Sequence, residues 1–316
     1  MKYRNPQIPE GINVSDRHPL KELFVLAGGA LLLLFLLSWL LGQFGGRLAR
    51  LLPFEHEAAL APVSLLRNDA GPELQAYLGQ LGDRLSEEMA LPDGMQVHLQ
   101  MSGDDTFNAF ATLGGNILLY RGLLEQLPHE NALAMLLAHE MAHVEHRDPI
   151  VGIGQGAAIQ VMLGLLIGDP NLAVLGSAGL YTQLHYTREM EREADTAALA
   201  AVQRLYGHIG GAQDLFNVIR AQRDRSGREE MPAIFSSHPL DEQRLEAISE
   251  LARERGWSAT GETTPLPAAF GRWMSEAAEL AARCVTLRFD AGAESAAERF
   301  CRLGSNAEAC AAKRPC

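Results

Sequence analysis

The sequence predicts an α+β fold, mostly helical with one small β-sheet, carried on a single N-terminal transmembrane helix. Three observations predict it. From Leu23 to Gly46, 24 residues pass without a charge. As a helix that is about 36 Å, enough to span a hydrocarbon core of ~30 Å. Between Pro72 and Ala90, Leu74, Leu78, Leu81 and Leu85 recur at intervals of three and four, the period of an amphipathic helix. Met95, Val97, Leu99 and Met101 then alternate strictly, the period of a half-buried strand.

The elements follow in chain order. Residues 1–22 are polar, hold Pro6 and Pro9, and read as a short cytoplasmic tail. The competing reading of 23–46 is a cleaved signal peptide, whose apolar region is usually only ~7–15 residues. Lys2, Arg4, Arg17 and Lys21 precede the span and Arg47 and Arg50 follow it. The excess of positive charge before the span favours a cytoplasmic N-terminus, with the rest of the chain outside. Residues 47–62 read as a linker, and folding proper is expected to begin near Val63. A second strand is expected at Asn116–Tyr120, beside the first. If it formed the sheet edge, its free backbone groups could pair with an extended peptide.

The helix expected over Glu130–His146, stopped by Pro149, carries the chemistry. Its stretch "LLAHEMAHVEH" puts three histidines and two glutamates among apolar residues. His139 and His143 are four apart and share one helix face. Two neutral imidazoles so placed can take two corners of a zinc tetrahedron, and Glu140 beside them can take a proton from water. A third ligand is sought in "TREMEREAD", residues 187–195. Glu191 is chosen because Asp195 follows it by one turn, so one carboxylate can bind metal while the other holds a ligand histidine. Glu189 has only Glu193 in that place, and Glu193 has Ala197. Standing alone, the stretch would read as a solvated face of Arg–Glu pairs.

Two further segments carry a family resemblance. "FNAFATLGGNILLYRGLL", residues 107–124, and "SSHPLDEQR", residues 236–244, lie before and after these motifs. In that order, across roughly residues 65–250, the four motifs resemble the HtpX- and BepA-like zinc metallopeptidases, a branch of the gluzincins. The resemblance implies a zincin-like domain, residues 63–255, with its sheet above the metal helix. It also implies one Zn2+ per chain on His139, His143 and Glu191, Glu140 as base, Asp195 behind a ligand, and polypeptide substrates. Asn108, Ala109, Phe110, Gly115, Asn116 and Ile117 would lie above the site against substrate.

His238, presented by the "SHP" segment, is expected near the metal. It would restrain activity by filling the water's position, or donate to the oxyanion; the plain alternative is packing at a helix entry. Arg244 could supply the positive charge instead, or pair with a carboxylate. His56, His98, His129 and His146 read as surface or structural residues, His146 as a cap on the metal helix.

The remaining expectations concern organisation. Ile150–Gly168 is uncharged with five glycines and reads as packed helices covering the site, a candidate lid. Leu240–Arg255 reads as a surface helix and Gly256–Pro267 as a linker. The last stretch to Cys316 holds all four cysteines, Cys284, Cys301, Cys310 and Cys316, without C-x-x-C pairs. Two disulfides in an oxidising compartment follow, hence a periplasmic domain on the inner membrane. A net charge of −12 with no basic stripe argues against nucleic acid as a partner. A zinc-stabilised chaperone or scaffold is the rival function, and Glu140 is the residue it would not need.

Overall fold

The computed structural model describes residues 19–60, 68–154, 186–226, 234, 238 and 242–290. These are mostly helical and surround a three-stranded mixed sheet. The expected tail, most of the candidate lid, and Cys301, Cys310 and Cys316 lie outside the described residues. Cys284 falls within the last helix.

Helix α1, Pro19–Ala49, contains the uncharged run and extends it by a turn at each end. Its stretch Leu20–Leu37 is long and apolar enough to cross a membrane, and none of it is buried among the described residues. Phe24 and Leu26 are 73% and 72% exposed.

The interval expected as a linker holds helix α2, Phe54–Leu60. Phe54 packs against the core, and Glu57 is buried with Arg147 and the Gly114 N–H as partners. Composition could not reveal this, because those partners are 57 and 90 residues away.

Helix α3, Pro72–Met89, buries the four leucines of its stripe completely or nearly so. Each contributes roughly 1.5–3 kcal/mol by leaving water. Strand β1, His98–Ser102, runs parallel to β3, Asn116–Tyr120, while β2, Ala109–Ala111, pairs antiparallel on the other side. The order β1-β3-β2 makes Asn116–Tyr120 the central strand, so it has no free edge for a peptide. The edges are β1 and β2, and β2 joins β3 through a 3-10 turn at Leu113–Gly115. Gly115 has φ +74°, and a Cβ there would stand 1.9 Å from the Gln96 carbonyl oxygen, so only glycine fits.

After the short helix α4, Arg121–Leu124, comes α5, Glu130–Glu145. It ends one residue earlier than expected, with His146 as its C-cap. The chain resumes helix at 148, because Pro149 is tolerated in a first helical turn. Helices α6, Arg188–Tyr206, α7, Ala212–Ser226, and α8, Glu242–Arg255, follow. The α8 helix is only partly superficial, since Ile248 and Ala252 are buried.

The C-terminal region also differs from expectation. Helix α9, Phe270–Asp290, sends Phe270, Trp273, Met274 and Ala277 into the main core. The preceding stretch, read as a linker from its Gly, Ser, Thr and Pro content, is tied to the start of α5. The Glu130 N–H donates to the Thr264 carbonyl at 2.9 Å, and the Thr264 N–H donates to Asn131 Oδ1 at 2.8 Å. Such pairings depend on what the fold brings alongside, not on composition.

Candidate metal centre and active site

Helix α5 is buried on every face from Glu130 to Val144, between the sheet, α3, α6 and α7. A helix apolar all round belongs inside a domain, and that placement forces its polar groups to find partners. His139 Nε2 and His143 Nε2 face each other at 3.2 Å. Helix α6 supplies Glu191 from its first turn, where Thr187 caps the helix by accepting from the Met190 N–H. Its inward stripe includes Glu191, Ala194, Asp195 and Ala198, while Glu189 and Glu193 are exposed. His238 arrives one turn beyond Ile234, its N–H donating to the Ile234 carbonyl at 2.7 Å.

One donor atom from each of His139, His143, Glu191 and His238 lies within 4.8 Å of the others, and all four residues are buried. The individual separations test whether an ion fits. His139 Nε2 to His238 Nδ1 is 3.4 Å, His143 Nε2 to Glu191 Oε1 is 3.5 Å, and His139 Nε2 to Glu191 Oε2 is 3.6 Å. Bonds of about 2.0–2.1 Å in a tetrahedron put neighbouring donors roughly 3.3 Å apart. The donor set therefore fits a tetrahedral metal ion. His238 Nδ1 stands closer to Glu191 Oε1, at 2.9 Å, as a hydrogen-bonded neighbour.

Each candidate ligand is oriented from behind. His143 Nδ1 stands 2.9 Å from Asp148 Oδ2, and both residues are fully buried. His139 Nδ1 stands 3.0 Å from Asp195 Oδ1, an ion-pair distance without hydrogen-bond alignment. Arg244 engages the two buried acidic residues of α6: Nη1 forms an ion pair with Glu191 Oε2 at 2.5 Å, and Nε donates to Asp195 Oδ2 at 2.8 Å. Tyr186 stacks flat on His143, with ring centroids 3.9 Å apart, and donates its hydroxyl to the Ala111 carbonyl at 3.1 Å.

The electrostatics follow from this crowding. Burial alone would raise the Glu191 carboxyl, but His238, His143 and His139 hold it well below the ordinary carboxylate range. Burial opposes ionisation of Asp195 too, and Arg244 with His139 outweighs it. For His143 burial acts downward, yet Asp148, Glu191 and Glu140 lift the metal-free imidazole to about 9. Glu140 is 1% exposed; its Oε1 lies 3.5 Å from His238 Nε2, and its Oε2 has no hydrogen bond among the described residues. A buried carboxylate oxygen left without a hydrogen bond calls for an explanation, and a role in proton transfer is one.

The remaining expected site residues divide. Of the two roles open to Arg244, the structure shows carboxylate pairing: it is buried against Glu191 and Asp195. Asn108, Ala109, Phe110, Gly115, Asn116 and Ile117 are all buried around the β2–β3 hairpin. Asn108 and Thr112 pair with β3, so by alternation Ala109 and Ala111 turn their backbone groups to the outer edge. Sequence reasoning missed Tyr186, Asp148 and Arg147. An aromatic five residues before Glu191 was a weak signal for the first. Nothing flagged the others, because Asp148 reaches His143 only through a left-handed residue, Arg147, at φ +62°.

Comparison with known proteins settles the family. Residues 72–252 match the model of Peptidase family M48. The chain belongs to that family. Peptidases of family M48 use a metal ion, and the matched span runs from α3 through α8, across every donor described above. Helices α1, α2 and α9 of this M48 chain lie outside it. The chain is 28% identical over 189 residues to the beta-barrel assembly-enhancing protease of Escherichia coli K12, covering 55% of this chain and 38% of that one. It is 27% identical to the mitochondrial metalloendopeptidase OMA1 of Schizosaccharomyces pombe, covering 55% of this chain and 52% of the other. The M48 chain thus spans less than half of the bacterial relative's length and about half of the yeast one's.

Proposed function

We propose that this chain is a membrane-anchored zinc endopeptidase that hydrolyses unfolded or unassembled cell-envelope polypeptides, with its catalytic domain in the periplasm. The observation that carries the reading is the buried cluster of His139, His143 and Glu191 at tetrahedral spacing, with Glu140 next to it. Two histidines and a carboxylate are a donor set used by hydrolytic zinc. When bound, zinc supplies Lewis-acid activation of water and of the scissile carbonyl. Glu140 takes the proton from the attacking water and passes it to the leaving amine. Asp195 and Asp148 hold the ligand rings in register, and Arg244 keeps Asp195 ionised and in line with Glu191.

The outer edge of β2 offers an extended substrate the backbone groups of Ala109, beside Phe110. Leu136, Leu215, Phe216, Ile219 and Ile234 line a small pocket that also reaches His139 and Glu140. Those walls favour cleavage beside an apolar side chain. His238 completes a four-donor set in this conformation, so we read it as a restraint that must leave before water can enter. The uncovered apolar α1 supports the anchor, and the two named relatives, both proteases, support a polypeptide substrate.

The test is hydrolysis of a reduced, unfolded protein by the purified full-length chain, with and without a chelator. Cleavage abolished by chelation and restored by zinc is expected. Tight zinc binding without cleavage of any unfolded protein would instead favour the chaperone or scaffold.

A further inference from the structure

Beyond the span shared with family M48, residues 50–57 meet the metal centre from the anchor side. We propose that Glu57 and Arg147 are positioning residues: the segment after α1 braces a left-handed turn that sets Asp148 against His143. The proposal rests on the metallopeptidase reading only in taking His143 as a metal ligand.

The turn is the starting point. Arg147 has φ +62°, a conformation that side chains other than glycine rarely adopt, and it comes two residues after α5 ends. Residues five apart do not share a helix face. Without this reversal Asp148 could not return to within 2.9 Å of His143 Nδ1. Something must hold an arginine in that conformation, and its side chain shows what does.

Among the described residues, the Arg147 guanidinium is gripped by the juxtamembrane segment. Nε donates to Glu57 Oε1 at 2.5 Å, Nη2 donates to the Leu52 carbonyl at 2.6 Å, and the cation lies 5.7 Å from the Phe54 ring centroid. Glu57 is itself buried, and its second oxygen accepts from the Gly114 N–H at 3.4 Å. One carboxylate therefore links the β2–β3 turn to the end of the metal helix. Nearby, Ala49 and Leu52 pack on Leu113 and Ile150, on the two sides of the same junction. Arg50 faces the other oxygen of Asp148 at 3.9 Å. Five residues between Ala49 and Glu57 thus converge on the structure that orients His143, and a merely tethering linker would make no such set of contacts.

The consequence is that the anchor segment is a working part of the metal centre. A carboxylate behind a ligand histidine typically accounts for 10–100-fold in metal affinity. Residues that place that carboxylate should account for about the lower end of this range.

The test uses the full-length protein in detergent, in a Glu140→Gln background that prevents self-cleavage, with zinc affinity measured by competition against a chromophoric chelator. Asp148→Asn, Arg147→Ala and Glu57→Ala are each expected to weaken zinc binding about tenfold. Arg147→Gly is the discriminating variant, because glycine holds the left-handed turn without a brace. It should stay near the parent's affinity, and adding Glu57→Ala to it should change nothing further. If Glu57→Ala does not fold by circular dichroism, Glu57→Gln replaces it. Parent-like affinity in the Glu57 variant, or equal losses in Arg147→Gly and Arg147→Ala, overturns the brace while leaving the peptidase reading standing. A parent that binds no zinc overturns both.

Discussion

Arg244 holds Asp195 with two parallel hydrogen bonds, Nε to Oδ2 at 2.8 Å and Nη2 to Oδ1 at 2.9 Å, in a pair that is 96% buried on both sides. The fork geometry of a guanidinium suits this arrangement, and lysine could not reproduce it. Arg244→Ala leaves two buried carboxylates without their cation, a change that typically destabilises by about 3–5 kcal/mol. Denaturant unfolding of the metal-free protein should report that loss, and Arg244→Lys should recover only part of it. Unchanged stability in Arg244→Ala would remove the residue from the framework of the site.

Glu140→Gln should abolish hydrolysis of an unfolded protein while leaving zinc stoichiometry at one per chain. The amide cannot carry the proton, and Glu140 is not among the clustered donors. Zinc lost together with activity in this variant would contradict a base role.

The register of α6 makes a sharper comparison. Glu191→Ala should lower zinc affinity by orders of magnitude. Glu189→Ala and Glu193→Ala, both on the exposed face, should leave it unchanged. Metal analysis of the three purified variants decides the matter, and a ligand-like loss in Glu193→Ala would refute the assignment.

His238→Ala should raise turnover on an unfolded protein, because removing the fourth donor frees the position that water needs. A fall of roughly 10²–10³ would instead assign His238 to oxyanion stabilisation. No change would exclude both roles.

Orientation can be tested independently of the chemistry. A reporter active only in the periplasm, fused after Cys316, should be active. Activity from a cytoplasm-only reporter would overturn the proposed outside placement of the catalytic domain, which rests on the charges around α1.

Much of the site could be read in advance because its signals are local. His139, Glu140 and His143 lie within one turn and a half of one helix, and the pair Glu191 and Asp195 within one turn of another. Fixed helical geometry then dictates which groups share a face. Likewise the stripe of Leu74, Leu78, Leu81 and Leu85 and the uncharged run in α1 are short-range periodicities. Which strands form the sheet edges was not legible, for the opposite reason. Both Ala109–Ala111 and Asn116–Tyr120 are apolar and short, and nothing in either says which lies between two neighbours.

The sequence by itself determined the two helices that carry the clustered donors, the place of Glu140 beside them and the long apolar N-terminal helix, since each depends on spacing within a few residues. Only the tertiary structure decided what stands behind the ligands. Arg244 turned out to clamp Glu191 and Asp195, and Asp148 to reach His143 through a left-handed Arg147. Glu57 was found to join a glycine turn to the end of the metal helix. A buried charge must find a partner wherever the fold places one. For Glu57 that partner lies 90 residues away, beyond the reach of any periodicity.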